Sequence, residues 1–197
     1  MSADRTRLTS PRIISRDRAQ LSDWVTLETI SVARADSSAV DVFHALGQAD
    51  YVHVLPMTRA GSIVLVRQYR PVIERWTLEL PGGLRDTGEN AETTAARELR
   101  EETGFAALEI VPLIACDADV GRLCNRFFGF FALAEPVSAG EPGVDTFVLS
   151  GQELQTYAAG GRIASPGHIA LLYLAAVHPR VRELCRQCGY PTVPWLA

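Results

Sequence analysis

Lysine is missing from this 197-residue chain: every one of its 19 basic residues is arginine. That absence excludes a Walker-type phosphate loop, a Schiff-base nucleophile, a pyridoxal-phosphate anchor and the strand lysine of a protein kinase. Phosphate chemistry here must use arginine, backbone amides or a metal ion. No apolar run approaches the roughly 18 residues of a membrane-spanning helix, and the first 20 residues hold no uninterrupted apolar stretch resembling a signal peptide. A cytoplasmic protein with no membrane partner is the expectation. Cysteine is scarce as well: Cys116, Cys124, Cys185 and Cys188. Only the last two are spaced like metal ligands, and no second pair or nearby histidine completes a zinc site, so they read as neighbours on a C-terminal helix. His44, His53, His168 and His178 are scattered without ligand spacing and read as structural or surface residues.

What is present suffices for an ordinary globular fold. With 47% hydrophobic and 21% charged residues, a chain of this length buries a core without covalent staples. Its acids are unevenly placed. Between Glu79 and Glu102 seven acids face three arginines, a local excess of 7 − 3 = 4 negative charges that equals the formal charge of the whole chain, −4. Such a segment attracts cations and repels polyanions, so nucleic acid is not an expected partner. Residues 1–20 are polar and aperiodic and are predicted to form a flexible tail.

Periodicity then divides the chain. Trp24–Ala33, Ala39–Ala45 and Tyr51–Met57 read as strands, and residues 21–57 as an N-terminal strand region. Residues 58–197 read as the main domain. In it Ile63–Tyr69 is a buried strand and Trp76–Leu80 a short one ending at Pro81-Gly82-Gly83. A helix is predicted from about Asn90 to Thr103, stopped by Gly104. Strands at Ala107–Ala115, Phe127–Ala134 and Val144–Leu149 follow. Ser150 to Glu153 fits a capping box, and Ser165-Pro166 opens a last clear helix through about Val177. The irregular alternation predicts a mixed sheet with helices packed on it.

The helix after Gly83 carries the chemistry. At about 100° per residue, Glu102 lies about 40° to one side of Glu98 and Glu101 about 60° to the other, so three carboxylates share one arc. Ala95, Ala96, Leu99 and Thr103 form the apolar stripe beside them, and Arg97 flanks the acids at i,i+4 from Glu101. Like charges repel, and the C-terminal half of a helix disfavours anions. Folding alone does not select such a cluster. Arg97 offsets part of the repulsion, and a divalent ion with a preference for oxygen ligands offsets the rest.

The order Gly83, five residues, Glu89, seven residues, Arg97-Glu98-Leu99, one residue, Glu101-Glu102, one residue, Gly104-Phe105 resembles the Nudix box at every fixed position. The resemblance implies an α/β/α sandwich around a mixed β-sheet and magnesium-dependent hydrolysis of a nucleoside diphosphate linked to another group, with manganese as the second choice of ion. It implies that Glu98, Glu101 and Glu102 bind metal together with the Gly83 carbonyl. Arg97 orients these acids, and Glu89 holds the helix entry. Upstream, Arg67-Gln68-Tyr69-Arg70-Pro71 and Glu79-Leu80-Pro81-Gly82-Gly83 resemble the ADP-ribose pyrophosphatase branch. That likeness makes ADP-ribose the favoured substrate, giving AMP and ribose 5-phosphate, and places Arg70 and Glu79 at the substrate. It also implies a homodimer built through the N-terminal strands. Trp24 is either a base-stacking aromatic or a buried strand-start residue, and Arg122 either reaches a phosphate or stays on the surface. The general base implied is an acid on a loop between late strands, with Glu141 first and Asp145 second. Val120-Gly121 stands where that branch often has a proline, which leaves other nucleoside diphosphate sugars and dinucleotides open, and a non-catalytic nucleotide sensor besides. Isoprenoid diphosphate isomerisation would need a cysteine nucleophile and histidine ligands that cannot be placed here.

Overall fold

The computed structural model describes residues 10–35, 37–163 and 165–196. They divide into two compact units, one comprising the chain up to Ala49 with Asp117–Asn125, the other Asp50–Cys116 with Arg126 onward. The division falls at 49/50 and not at 57/58, because strand Tyr51–Thr58 is central to the larger sheet. Asp117–Asn125 joins the first unit through backbone bonds: Leu46 N donates to Arg122 O at 2.8 Å and Cys124 N to Leu46 O at 2.9 Å.

The first unit is an antiparallel sheet of β1 (Arg12–Gln20), β2 (Thr26–Ala33) and β3 (Val40–Gly47) in that order. Strand β1 occupies half of the expected tail, whose residues 1–9 lie outside the described ones. It pairs with β2 along an antiparallel ladder, to which side-chain ion pairs are added. Arg16 and Arg18, two apart and so on one face of β1, donate to the two carboxylate oxygens of Glu28 on β2 at 2.9 and 2.6 Å. Glu28 is buried, and the Arg18 hydrogen bond lowers its pKa against the effect of burial. The same sheet leaves Ile13, Val42 and Phe43 about half exposed.

The second unit is built on β4 (Tyr51–Thr58), β5 (Ile63–Arg70), β6 (Arg75–Glu79), β7 (Phe105–Asp117) and β8 (Arg126–Pro136), ordered β6-β5-β4-β8-β7, with β9 (Asp145–Leu149) added to β5. β4 and β8 are parallel, whereas β5 is antiparallel to β4, β6 and β9. The sheet is mixed, as expected. Even-numbered residues of β4 face helix α1 (Ala91–Thr103): Val52 and Val54 pack with Ala95, Leu99, Phe130 and Ala132. Odd-numbered residues face α3 (Pro166–Val177) and α4 (Pro179–Gln187), where His53 meets His168 and Met57 meets Cys185. Helices on both faces make the α/β/α sandwich. A short helix α2 (Gly151–Ala159) begins with the Ser150–Glu153 capping box.

The helix ends follow from the local sequence. The Asn90 side chain accepts from Glu92 N at the start of α1. Gly104 ends it at φ 73°, a left-handed conformation natural to glycine, with its N–H donating to Arg100 O. Cys185 lies within α4 and Cys188 caps its end, both as free thiols. Among the described residues, no helix is long and apolar enough to cross a membrane.

Candidate active site

The segment Pro81-Gly82-Gly83 lies along β4, where Val54 N donates to Pro81 O and Val52 N to Gly83 O, both at 2.9 Å. Extended backbone alternates, so Gly82 turns the other way, and its N–H donates to Glu102 Oε2 at 2.9 Å. The Gly83 carbonyl, expected at a metal, is therefore directed to β4, and the Gly82 carbonyl shares the side of Glu102. Backbone contact requires glycine at position 82, and at position 83 the neighbour is the Glu98 carboxylate. A Cβ on Gly82 would run into the Val52 carbonyl oxygen and come within 2.7 Å of His53 Nδ1; one on Gly83 would stand 2.5 Å from the Glu98 carboxyl carbon.

Helix α1 distributes its acids in two directions. Glu102 is buried and takes hydrogen bonds from Gly82 N and from Gln68 Nε2, the latter at 2.5 Å. Burial pushes its pKa up to about 7, although both hydrogen bonds favour the anion. Glu98 is likewise raised by burial, against its ion pair with Arg97. Glu101 is over half exposed and held by Arg97 at 3.0 Å. The Arg97 guanidinium also donates to Glu89, to Glu98 at 2.8 Å and to Leu84 O, so one cation ties the box together. Glu89 is held down to about 2 by Arg97 first and by the Thr94 hydroxyl second.

The donor set fits a hard divalent cation in chemistry more than in present convergence. Glu98 and Glu102 both close on the Gly82-Gly83 segment, and both are disfavoured as anions by burial, a cost that a bound cation removes. Among the described residues, no three histidine, cysteine or acid side chains already converge as a metal-sized cluster. Arg97 engages Glu98 and Glu101 instead.

Arg70 and Glu79, the residues expected at the substrate, lie on β5 and β6. Gln68 and Arg70, two apart on β5, share the face of Glu102. Arg70 grips Glu79 with two bonds of 2.7 and 2.8 Å, and Thr77 donates to the same carboxylate at 2.5 Å. Burial alone would raise Glu79, but these hydrogen bonds outweigh it and hold the acid at about 2. Arg70 keeps Nη1 free of this pair. Glu141 lies on the loop after β8, where its backbone N donates to Glu101 O at 2.8 Å. An open cleft of about 1060 Å³ there is bordered by Arg97, Glu101 and Glu141, but not by Glu98 or Glu102. Asp145, the second candidate base, is ion-paired with Arg67 at 2.6 Å and faces away from α1.

Trp24 and Arg122 belong to the first unit. Trp24 is 73% exposed rather than buried, and it borders a cleft of about 380 Å³ with Arg16, Arg18, Glu28 and Cys124. Arg122 lies outside that cleft, in a turn where its N–H donates to Asp119 O. The residues at the site to which the sequence reading gave no role are Gln68, Thr77 and Gly82; His53 and His168, read as structural or surface residues, are packed against each other in the interior. Alternation with Arg70 was a signal for Gln68. Nothing in the sequence signalled the buried imidazoles, whose ring centres are 4.4 Å apart.

The chain is similar to known proteins. The family model for the NUDIX domain matches residues 47–157, more than half of the chain. The ADP-ribose pyrophosphatase of Bacillus subtilis is 44% identical over 64 residues, covering 32% of this chain and 35% of that protein. The ADP-ribose pyrophosphatase of Saccharomyces cerevisiae is 34% identical over 94 residues, 42% of this chain and 41% of that protein. The mouse ADP-sugar pyrophosphatase is 37% identical over 75 residues, 35% of this chain and 34% of that protein. The chain thus spans well under half the length of these curated relatives. A crystal structure of an ADP compounds hydrolase superposes with a TM-score of 0.75 over 92% of this chain and 97% of its own, at 21% identity, a likeness of fold. The box residues, the glycine turn they close on, the sandwich that presents them and the match over residues 47–157 lead to one assignment: the chain belongs to the NUDIX domain family.

Proposed function

We propose that this protein hydrolyses a nucleoside diphosphate linked to another group with the aid of a divalent metal ion, and that ADP-ribose is its substrate, cleaved to AMP and ribose 5-phosphate. The observation that carries this reading is the closure of two desolvated carboxylates, Glu98 and Glu102, on the Gly82-Gly83 turn. Glu98, Glu102 and the Gly82 carbonyl are the assigned ligands, with Glu101 joining when Arg97 releases it. A magnesium or manganese ion held there supplies the positive charge that a diphosphate otherwise lacks in a chain without lysine. Arg70, fixed by Glu79, offers Nη1 to a phosphate oxygen. Glu141 on its loop accepts the proton of the attacking water, whose oxygen forms the new P–O bond as the phosphoanhydride breaks.

The names of the curated relatives support ADP-ribose and ADP-sugars, and Val120-Gly121 in place of the branch proline keeps other nucleotide sugars and dinucleotides as the second reading. The first unit is assigned to self-association into a homodimer, supported by its half-exposed Ile13, Val42 and Phe43. Four free thiols support a reducing, cytoplasmic setting. The test is a panel of nucleotide sugars, dinucleotides and triphosphates incubated with magnesium. AMP released from ADP-ribose ahead of all others, and lost on chelation, is expected. Preferential release of a monophosphate from UDP-glucose rejects the substrate, and tight nucleotide binding without turnover points to a sensor.

A further inference from the structure

The face of the β5–β6 pair turned away from α1 carries a second cleft, of about 360 Å³, that the proposed hydrolysis does not use. Alternation puts Gln68 and Arg70 on the α1 side and Arg67 and Tyr69 on the other. In register, Leu78 lies beside Arg67 and Trp76 beside Tyr69. A bridge between Leu78 and Ile163 brings the chain after α2 along the edge of β6. The cleft is lined by Arg67, Arg75, Trp76, Phe147, Tyr157 and Arg162.

Its chemistry is unusual for this acidic protein. Guanidinium groups already stack on its rings: Arg67 lies over Trp76 at 4.9 Å and over Phe147 at 5.6 Å, and Arg162 over Tyr157 at 5.2 Å. Arg67 spends its charge on Asp145. Among the described residues, Arg75 and Arg162 have no carboxylate within ion-pair distance. An uncompensated cation bordering an aromatic-walled cleft attracts an anion. Arginine takes a phosphate through paired N–H bonds, and exposed aromatic faces take a flat base by stacking. A volume near the lower end of about 300–1000 Å³ for small-molecule sites suits one base and one phosphate rather than a dinucleotide.

We propose that this cleft binds a nucleoside monophosphate, its base against Trp76 and Tyr157 and its phosphate on Arg162. The occupant would lie on the reverse face of the two strands that present Gln68 and Glu79. The proposal does not require the hydrolytic reading, and its test is run without metal so that the two fail separately. The full chain is titrated with AMP in excess chelator, followed by tryptophan fluorescence and calorimetry, with inorganic phosphate and adenosine as further probes. Saturable AMP binding is expected, weakened at least tenfold in Arg162→Ala and in Trp76→Leu, and unchanged in Arg70→Ala and Glu102→Gln. Melting curves identify any variant that fails to fold, and Tyr157→Leu serves in its place. Phosphate and adenosine are each expected to bind at least tenfold more weakly than AMP. Absence of saturable binding, loss of binding in Arg70→Ala with retention in Arg162→Ala, or equal affinity for phosphate and AMP would each overturn the assignment.

Discussion

In the proposed reaction Glu102 is the pivotal acid, because it is buried, raised to about 7 and still hydrogen-bonded as an anion would be, by Gly82 N and Gln68. Glutamine at this position keeps one acceptor for the Gly82 N–H and removes the charge. Glu102→Gln is therefore expected to lower turnover by about 100-fold or more while leaving the melting temperature unchanged or slightly raised, measured by steady-state kinetics and calorimetry on the same preparation. Glu79 gives a prediction of opposite sign in charge. Its folded pKa of about 2 lies below its ordinary value, so its pair with Arg70 stabilises the fold above the ordinary carboxylate range and that stability is lost as pH falls toward 2. Acid titration of the melting temperature is expected to be shallower in Glu79→Gln than in the native chain. The box acids and Arg97 were legible from spacing alone. The division of labour among them was not, because it depends on which carboxylate the Gly82-Gly83 turn desolvates.

At the level of elements, the loop and the helix are made for each other. Gly82 packs against the carbonyl of Val52 so closely that no side chain fits, and backbone cannot yield as a side-chain tip can. Gly82→Ala is expected to destabilise the protein by about 1–3 kcal/mol in chemical denaturation and to reduce activity further by moving the loop off Glu102. Helix α1 was readable to within a residue because its caps are encoded locally, by Asn90 and Gly104. Strand β1 was not. Its residues carry no apolar period, and the ion pairs added to its ladder with β2 meet at a single buried Glu28 that two arginines neutralise from the neighbouring strand, a long-range match that no local pattern announces. The same reason moved the unit boundary: Tyr51–Thr58 reads like the strands before it, and only its parallel pairing with β8 assigns it to the larger sheet.

Across the whole molecule, two buried imidazoles are expected to make stability depend on pH. Burial lowers His53 to about 4 and His168 to about 3, with each other's proximity adding to the shift of His168. Both nitrogens of His168 and Nδ1 of His53 lack hydrogen-bond partners among the described residues. The unfolded chain takes up protons below the ordinary histidine pKa while the folded one does not, so stability is complete above that value and declines as pH falls toward 4. The decline in melting temperature from about pH 6.5 to 4 is expected to be smaller in His168→Phe than in the native chain, and equal slopes would remove the histidines from this role. If the exposed apolar residues of the first sheet form the proposed homodimer, light scattering is expected to give a dimer mass, and Phe43→Asp is expected to shift it toward monomer with the second unit still folded.

The claim beneath all of this is that Glu98, Glu102 and the Gly82 carbonyl hold a divalent ion. Crystals soaked in manganese chloride, with anomalous diffraction recorded at the manganese edge, measure it directly. A peak within coordination distance of both carboxylates, absent in Glu102→Gln, is the expected result. Manganese density elsewhere, or none while Glu98 and Glu102 stay as ordered as before, contradicts it.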